Sequence, residues 1–160
     1  MNQTKTNRIL IADDNEANRE LLEVYLTGLS IPVEIEFAED GEQTLSKAAS
    51  FHPDLILLDV MMPKRSGFEV CRELKQSSET ARILILMVTA LNELGDIERA
   101  VDAGTDDFLS KPVQKVELLK RVENMLKLKD VSDEVERLRQ YIEAMDGSQV
   151  ASHPSSGQST

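Results

Sequence analysis

An α/β protein built on a doubly wound parallel sheet is predicted by three observations. Short apolar runs alternate with segments of helical periodicity five times along the chain, and each run is of strand length. Most of these runs are apolar throughout, as strands covered by helices on both faces are. Two of them end in carboxylates, which are too costly to bury unpaired and so mark the rim of a core.

Arg8-Ile9-Leu10-Ile11-Ala12 is the first strand and runs directly into Asp13 and Asp14. Asn15 caps a helix over residues 16–29, with Leu22, Tyr25, Leu26 and Leu29 on one face and Gly28 and Pro32 marking its end. Val33-Glu34-Ile35-Glu36-Phe37 alternates, the pattern of a strand with one wetter face near a sheet edge. Asp40-Gly41 turns into a second helix carrying Leu45, Ala48 and Ala49, and His52-Pro53 breaks it. Leu55-Ile56-Leu57-Leu58 is the third strand; it delivers Asp59, and Val60-Met61-Met62-Pro63 follows. Ser66-Gly67 opens a helix to about residue 76 with Phe68, Cys71 and Leu74 at core spacing. Ile83-Leu84-Ile85-Leu86-Met87-Val88 is the fourth strand, ending at Thr89-Ala90. The next helix, residues 93–103, carries Leu94, Ile97 and Val101, and Gly95 weakens it by up to ~1 kcal/mol. Asp107-Phe108-Leu109 is a short fifth strand followed by Ser110-Lys111-Pro112. A last helix starts near Val113 with Val116, Leu119, Val122 and Leu126 inward.

Composition narrows the function. At 160 residues the chain accommodates one domain with an extension, and 41% hydrophobic content is that of a globular protein. A formal charge of -11 argues against nucleic acid as a partner. The single cysteine, Cys71, cannot close an internal disulfide and reads as a buried small hydrophobe in a reducing compartment. The first six residues are polar, and no apolar run approaches the ~18 residues of a membrane span. A cytoplasmic protein without a membrane partner is expected. His52 and His153 have no companion at metal-ligand spacing and receive no role.

Right-handed crossovers place the C-terminal ends of all parallel strands on one edge, where open α/β sheets bind ligands. To that edge the strands bring Asp13 and Asp14, Asp59, Thr89 and Lys111. Clustered carboxylates repel unless a positive charge sits among them, and a hard divalent cation such as Mg²⁺ fits an all-oxygen set. A lysine and a hydroxyl beside it suit a phosphoryl group carried on one carboxylate. Each piece also has an ordinary reading: Asp13-Asp14 as a helix N-terminus, Thr89 as a cap, Lys111 as a solvated loop lysine.

Taken together, Ile11-Ala12-Asp13-Asp14, Leu58-Asp59-Val60-Met61-Met62-Pro63, Val88-Thr89-Ala90 and Asp107-Phe108-Leu109-Ser110-Lys111-Pro112 resemble the receiver domain of two-component response regulators. The resemblance covers about residues 7–127. It implies a flavodoxin-like sheet of order 2-1-3-4-5, the order of the family's chemotaxis member. It further implies that Asp59 is the phosphoacceptor, supplied by a histidine kinase. Asp14 would be the direct Mg²⁺ ligand, with Asp13 acting through water, Asp59 beside them and Met61 giving its backbone carbonyl. Thr89 and Lys111 would touch phosphoryl oxygens, the Lys111-Pro112 bond would be cis, and Thr89 would couple to the Phe108 ring as a switch. Many relatives carry tyrosine where Phe108 stands, so an output needing that hydroxyl is not expected. Met61 and Leu91 are read as an apolar shield over the acyl phosphate.

Beyond the receiver, Leu128, Val131, Val135, Leu138, Ile142 and Met145 step by three and four, a seam with Leu128, Val135 and Ile142 at position a. Residues 128–146 are therefore a helical extension. It is read either as one side of a parallel homodimeric coiled coil or as a helix folded back on its own receiver. Residues 147–160 read as a disordered tail. About thirty residues follow the receiver, net acidic and too few for a DNA-binding or enzymatic output domain. The expected function is phosphorylation-controlled interaction without an activity of its own. Two alternatives stand beside it: a Mg²⁺-dependent aspartyl-phosphate phosphatase, against which Asn15 occupies the place of the second carboxylate, and a dimerisation scaffold insensitive to phosphorylation.

Overall fold

The computed structural model describes residues 5–90 and 94–150, the side chains of 94 and 146–150 excepted. The chain divides into two units, Met1–Glu123 and Asn124–Thr160. In the first, strands β1 (Asn7–Ala12), β2 (Val33–Ala38), β3 (Leu55–Leu58), β4 (Leu84–Thr89) and β5 (Asp107–Ser110) alternate with helices. The helices are α1 (Glu16–Leu26), α2 (Gly41–Ser50), α3 (Gly67–Gln76), α4 (Leu94–Ala103) and the start of α5 (Lys115–Val150). The sheet order is β2-β1-β3-β4-β5 and every pairing is parallel. This is the flavodoxin-like order.

The core sits on the three inner strands, β1, β3 and β4. Ile9, Leu10, Ile11 and all four residues of β3 are buried, because helices cover both faces of a parallel sheet. Local signals set the helix ends. Asn15 accepts from the Asn18 N–H at 2.9 Å, Asp40 accepts from the Gln43 N–H at 2.8 Å, and Ser66 with Glu69 completes a capping box. Past α2, His52 adopts a left-handed φ of 54° that turns the chain into Pro53 and β3.

Three expectations are corrected. Helix α1 stops at Leu26, not 29: Thr27, Gly28 and Leu29 bond to carbonyls three residues back, and the Thr27 hydroxyl also binds the Val24 carbonyl, tightening the last turn. In α4, Ile97 and Val101 face outward, and the buried positions are Ala100 and Ala103. In α5, Val116 is 73% exposed and Leu118 takes the inward place, with Val122 and Leu126 buried as read.

The second unit carries the rest of α5, whose backbone helix extends to Val150. Of the tail read as disordered from residue 147, residues 147–150 instead continue the helix, and residues 151–160 lie outside the described residues. Among the described residues, no helix is long and apolar enough to cross a membrane.

Candidate functional site

Register brings the candidate residues together. Ala12 pairs with Leu58 at the ends of β1 and β3, so Asp13 and Asp59 leave the sheet side by side. The backbone continues the ladder by one step: the Asp59 N–H bonds to the Ala12 carbonyl at 2.9 Å and the Asp13 N–H to the Ala38 carbonyl at 3.1 Å. On the other side Thr89 pairs with Ser110, and the Lys111 N–H bonds to the Thr89 carbonyl at 2.9 Å. The Lys111-Pro112 bond is cis.

Oxygen atoms of Asp13, Asp14 and Asp59 all lie within 4.8 Å of one another. Asp13 and Asp59 are buried, while Asp14 is exposed. The Lys111 ammonium bridges the two buried carboxylates, 2.9 Å from Asp13 Oδ2 and 3.1 Å from Asp59 Oδ2. The remaining oxygens take backbone donors: the Asn15 N–H reaches Asp13 Oδ1 at 2.9 Å and the Met61 N–H reaches Asp59 Oδ1 at 3.2 Å.

Charge in this cluster is out of balance, with three carboxylates against one ammonium. Burial pushes the Asp59 carboxyl above its usual range; the Lys111 charge and the Met61 N–H oppose the shift, and the Asp13 charge adds to it. Burial alone would lower Lys111, but its hydrogen bond to Asp13 and the charges of Asp59 and Asp13 outweigh that, and the ammonium is held above its usual range. The donor set is all oxygen, partly open to water through Asp14, and short of positive charge. It fits a hard divalent cation of the Mg²⁺ kind.

Thr89 is fully buried at the end of β4, and its Oγ1 has no hydrogen-bond partner among the described residues. A buried hydroxyl left unpaired is costly, so this atom marks a place where an acceptor belongs. Phe108 lies on β5 opposite Met87, partly buried against the core. The Met61 side chain is exposed, beside an open cleft of about 670 Å³ also lined by Asp14, Met62, Phe68 and Arg99. Its proposed companion in the shield, Leu91, lies outside the described residues.

Two residues assigned no role at the site from the sequence support it. The Arg19 guanidinium donates to the Asp13 carbonyl at 2.7 Å, fixing the turn that carries both Asp13 and Asp14. Its place one turn into α1 was legible; its reach back to a backbone carbonyl was not. At Gly67, a Cβ would come within 2.4 Å of the Asp59 carbonyl oxygen and 2.7 Å of the Val60 Cα. The Gly67 N–H also bonds to the Val60 carbonyl at 2.9 Å, so only glycine lets α3 start directly against the Asp59 backbone.

Comparison with known proteins agrees with this architecture. The response regulator receiver domain family matches residues 9–123. The chain belongs to that family. The receiver is 45% identical over 128 residues to the response regulator PleD of Caulobacter vibrioides, covering 80% of this chain and 28% of PleD. The chain thus spans less than a third of that relative's length. Among solved structures, the CheY-like receiver domain protein from Methanospirillum hungatei is similar with a TM-score of 0.71 at 26% identity, over 80% of this chain and 99% of that one. The receiver domain of the sensor histidine kinase PA1611 from Pseudomonas aeruginosa has a TM-score of 0.70 at 28% identity, over 77% of this chain and 99% of that one. That structure holds a magnesium ion in its active site cleft.

Proposed function

We propose that Asp59 accepts a phosphoryl group from the phosphohistidine of a histidine kinase, and that the modified receiver changes the surface it offers to a partner. The observation carrying this reading is the convergence of Asp13, Asp14 and Asp59 within 4.8 Å, with Lys111 bridging two of them. In the transfer, the P–N bond breaks with its electron pair leaving on the imidazole, while a carboxylate oxygen of Asp59 bonds to phosphorus. Asp13, Asp14, Asp59 and the Met61 carbonyl would hold Mg²⁺, Asp14 directly and Asp13 through water. Bound there, Mg²⁺ supplies positive charge to the carboxylates and to the phosphoryl oxygens.

This chain's own groups do the rest. Lys111 is already charged and placed within hydrogen-bond reach of Asp59, so its ammonium can follow a phosphoryl oxygen without reorganisation. Thr89 Oγ1, without a partner among the described residues, would donate to a second phosphoryl oxygen. Its departure from the core side leaves room for the partly buried Phe108 ring, which carries the change toward β5. Phenylalanine has no hydroxyl, so the signal at this position is one of packing rather than hydrogen bonding.

Intact-mass measurement after incubation with phosphoramidate and Mg²⁺ tests the reading. One added phosphoryl group per chain is expected, not formed when the metal is chelated beforehand and absent in Asp59→Asn. No adduct on the wild type, or an undiminished one in Asp59→Asn, would defeat it.

A further inference from the structure

We infer that residues 128–145 of two copies of this chain pair as a parallel, in-register, two-stranded coiled coil. The inference stands apart from the phosphoacceptor reading, since it concerns α5 alone and is tested without a phosphodonor. Its first support is exposure. Leu128, Val131, Val135, Leu138, Ile142 and Met145 are all between 49% and 70% exposed in the single chain. Six large apolar side chains on one stripe of a helix are not left to water singly, and a contiguous uncovered stripe marks an interface.

The second support is where the charges lie. With Leu128, Val135 and Ile142 at a, and Val131, Leu138 and Met145 at d, the outer positions carry Lys129, Asp133, Glu136 and Glu143. There Lys129 and Asp133 pair at 3.4 Å, a partly buried contact one turn apart that supports the helix without touching the seam. The extension's net negative charge is thus directed away from the partner helix. Flanking the seam, Glu134 occupies a g position and Arg139 the following e position.

Direction follows from that pair. In a parallel dimer Glu134 of each copy faces Arg139 of the other, giving two opposite-charge contacts across one seam. Arg139 also pairs within its own helix, with Glu136 at 2.6 Å and Glu143 at 2.9 Å, and a guanidinium has five donors to share among them. In the antiparallel arrangement that matches a with d, Glu134 faces Tyr141 and Arg139 faces Ser132, so neither charge meets its opposite. The central layers agree, because Val135 and Ile142 at a with Leu138 at d favour two parallel strands. Two and a half heptads make a short seam, so association depends on protein concentration.

Single-cysteine cross-linking in the full chain tests both partner and direction. The native Cys71 is silent: it is buried, and burial pushes its thiol up to about 11. Leu138→Cys alone is expected to form a disulfide dimer under mild oxidation, while Gln140→Cys on the outer face is not. Sedimentation velocity over a concentration series is expected to show a dimer that Leu138→Glu abolishes. The inference is overturned if the wild type stays monomeric throughout, or if Leu138→Glu leaves its dimer intact. It is equally overturned if cross-links appear only when Val135→Cys and Leu138→Cys chains are mixed, the antiparallel result.

Discussion

Asp59 and Lys111 both hold their protons more tightly in this cluster, for different reasons. Burial and Asp13 make ionisation of Asp59 harder, whereas the surplus of carboxylates makes loss of the Lys111 proton harder. Lys111 is therefore the resident counter-charge of the cluster, and a divalent cation must share the carboxylates with it. Replacing it by Lys111→Gln removes that competitor. Divalent-cation affinity is expected to rise several-fold, of order 1 kcal/mol, in a calorimetric titration, while phosphoryl uptake falls. Weaker cation binding in this variant would contradict the placement of Lys111 among the carboxylates. Gly67 is a second residue-scale test. In Gly67→Ala the new methyl meets backbone atoms on both Asp59 and Val60, which cannot swing aside as a side-chain tip can. Denaturant unfolding is expected to show a loss of about 1–3 kcal/mol, and phosphoryl uptake to drop with it. Unchanged stability would mean that the loop after Asp59 is free to move.

One helix cap, Asp40, carries a pH dependence. At the start of α2, the Gln43 N–H holds the Asp40 carboxyl below its ordinary value of 3.8, with the Lys64 charge helping and burial opposing. The unfolded chain then binds the proton more readily than the folded one. Asp40's contribution is fully present above pH 3.8 and is lost as pH falls through its lower folded value. Asp40→Ala is expected to lower stability by about 1 kcal/mol at neutral pH. Asp40→Asn caps nearly as well and flattens the acid limb, which urea unfolding between neutral and acid pH measures. Elements also show where the sequence was legible. The inner strands were readable because a fully buried parallel strand has one signature, a short run of large apolar residues, while β2 showed itself by alternation. Helix faces were less so. In α4 the large residues Ile97 and Val101 suggested the inner face, yet Ala100 and Ala103 fill it. Small side chains suit a helix packed closely beside α3, and apolar spacing alone does not distinguish small from large. At Val116 and Leu118 two apolar stripes compete, and the folded helix buries Leu118.

At the scale of the whole molecule, the site is a product of topology. Five parallel strands deliver residues separated by almost a hundred positions, Asp13 and Lys111, to one edge at 2.9 Å. Their gathering was legible because strand ends need no side-chain detail to be placed together. Arg19 and Gly67 were not, since a backbone carbonyl within reach of a guanidinium and a missing Cβ against Asp59 exist only once the chain is folded. The extension adds a second device that operates on α5, so phosphoryl acceptance and self-association can be tested separately. The most direct test of the central claim is chemical trapping of the acceptor. After phosphoramidate and Mg²⁺, borohydride reduces an aspartyl phosphate to homoserine, and peptide mass spectrometry maps the position. Homoserine at position 59, and nowhere else, is the predicted result; homoserine at position 13 or 14, or none at all, would contradict it.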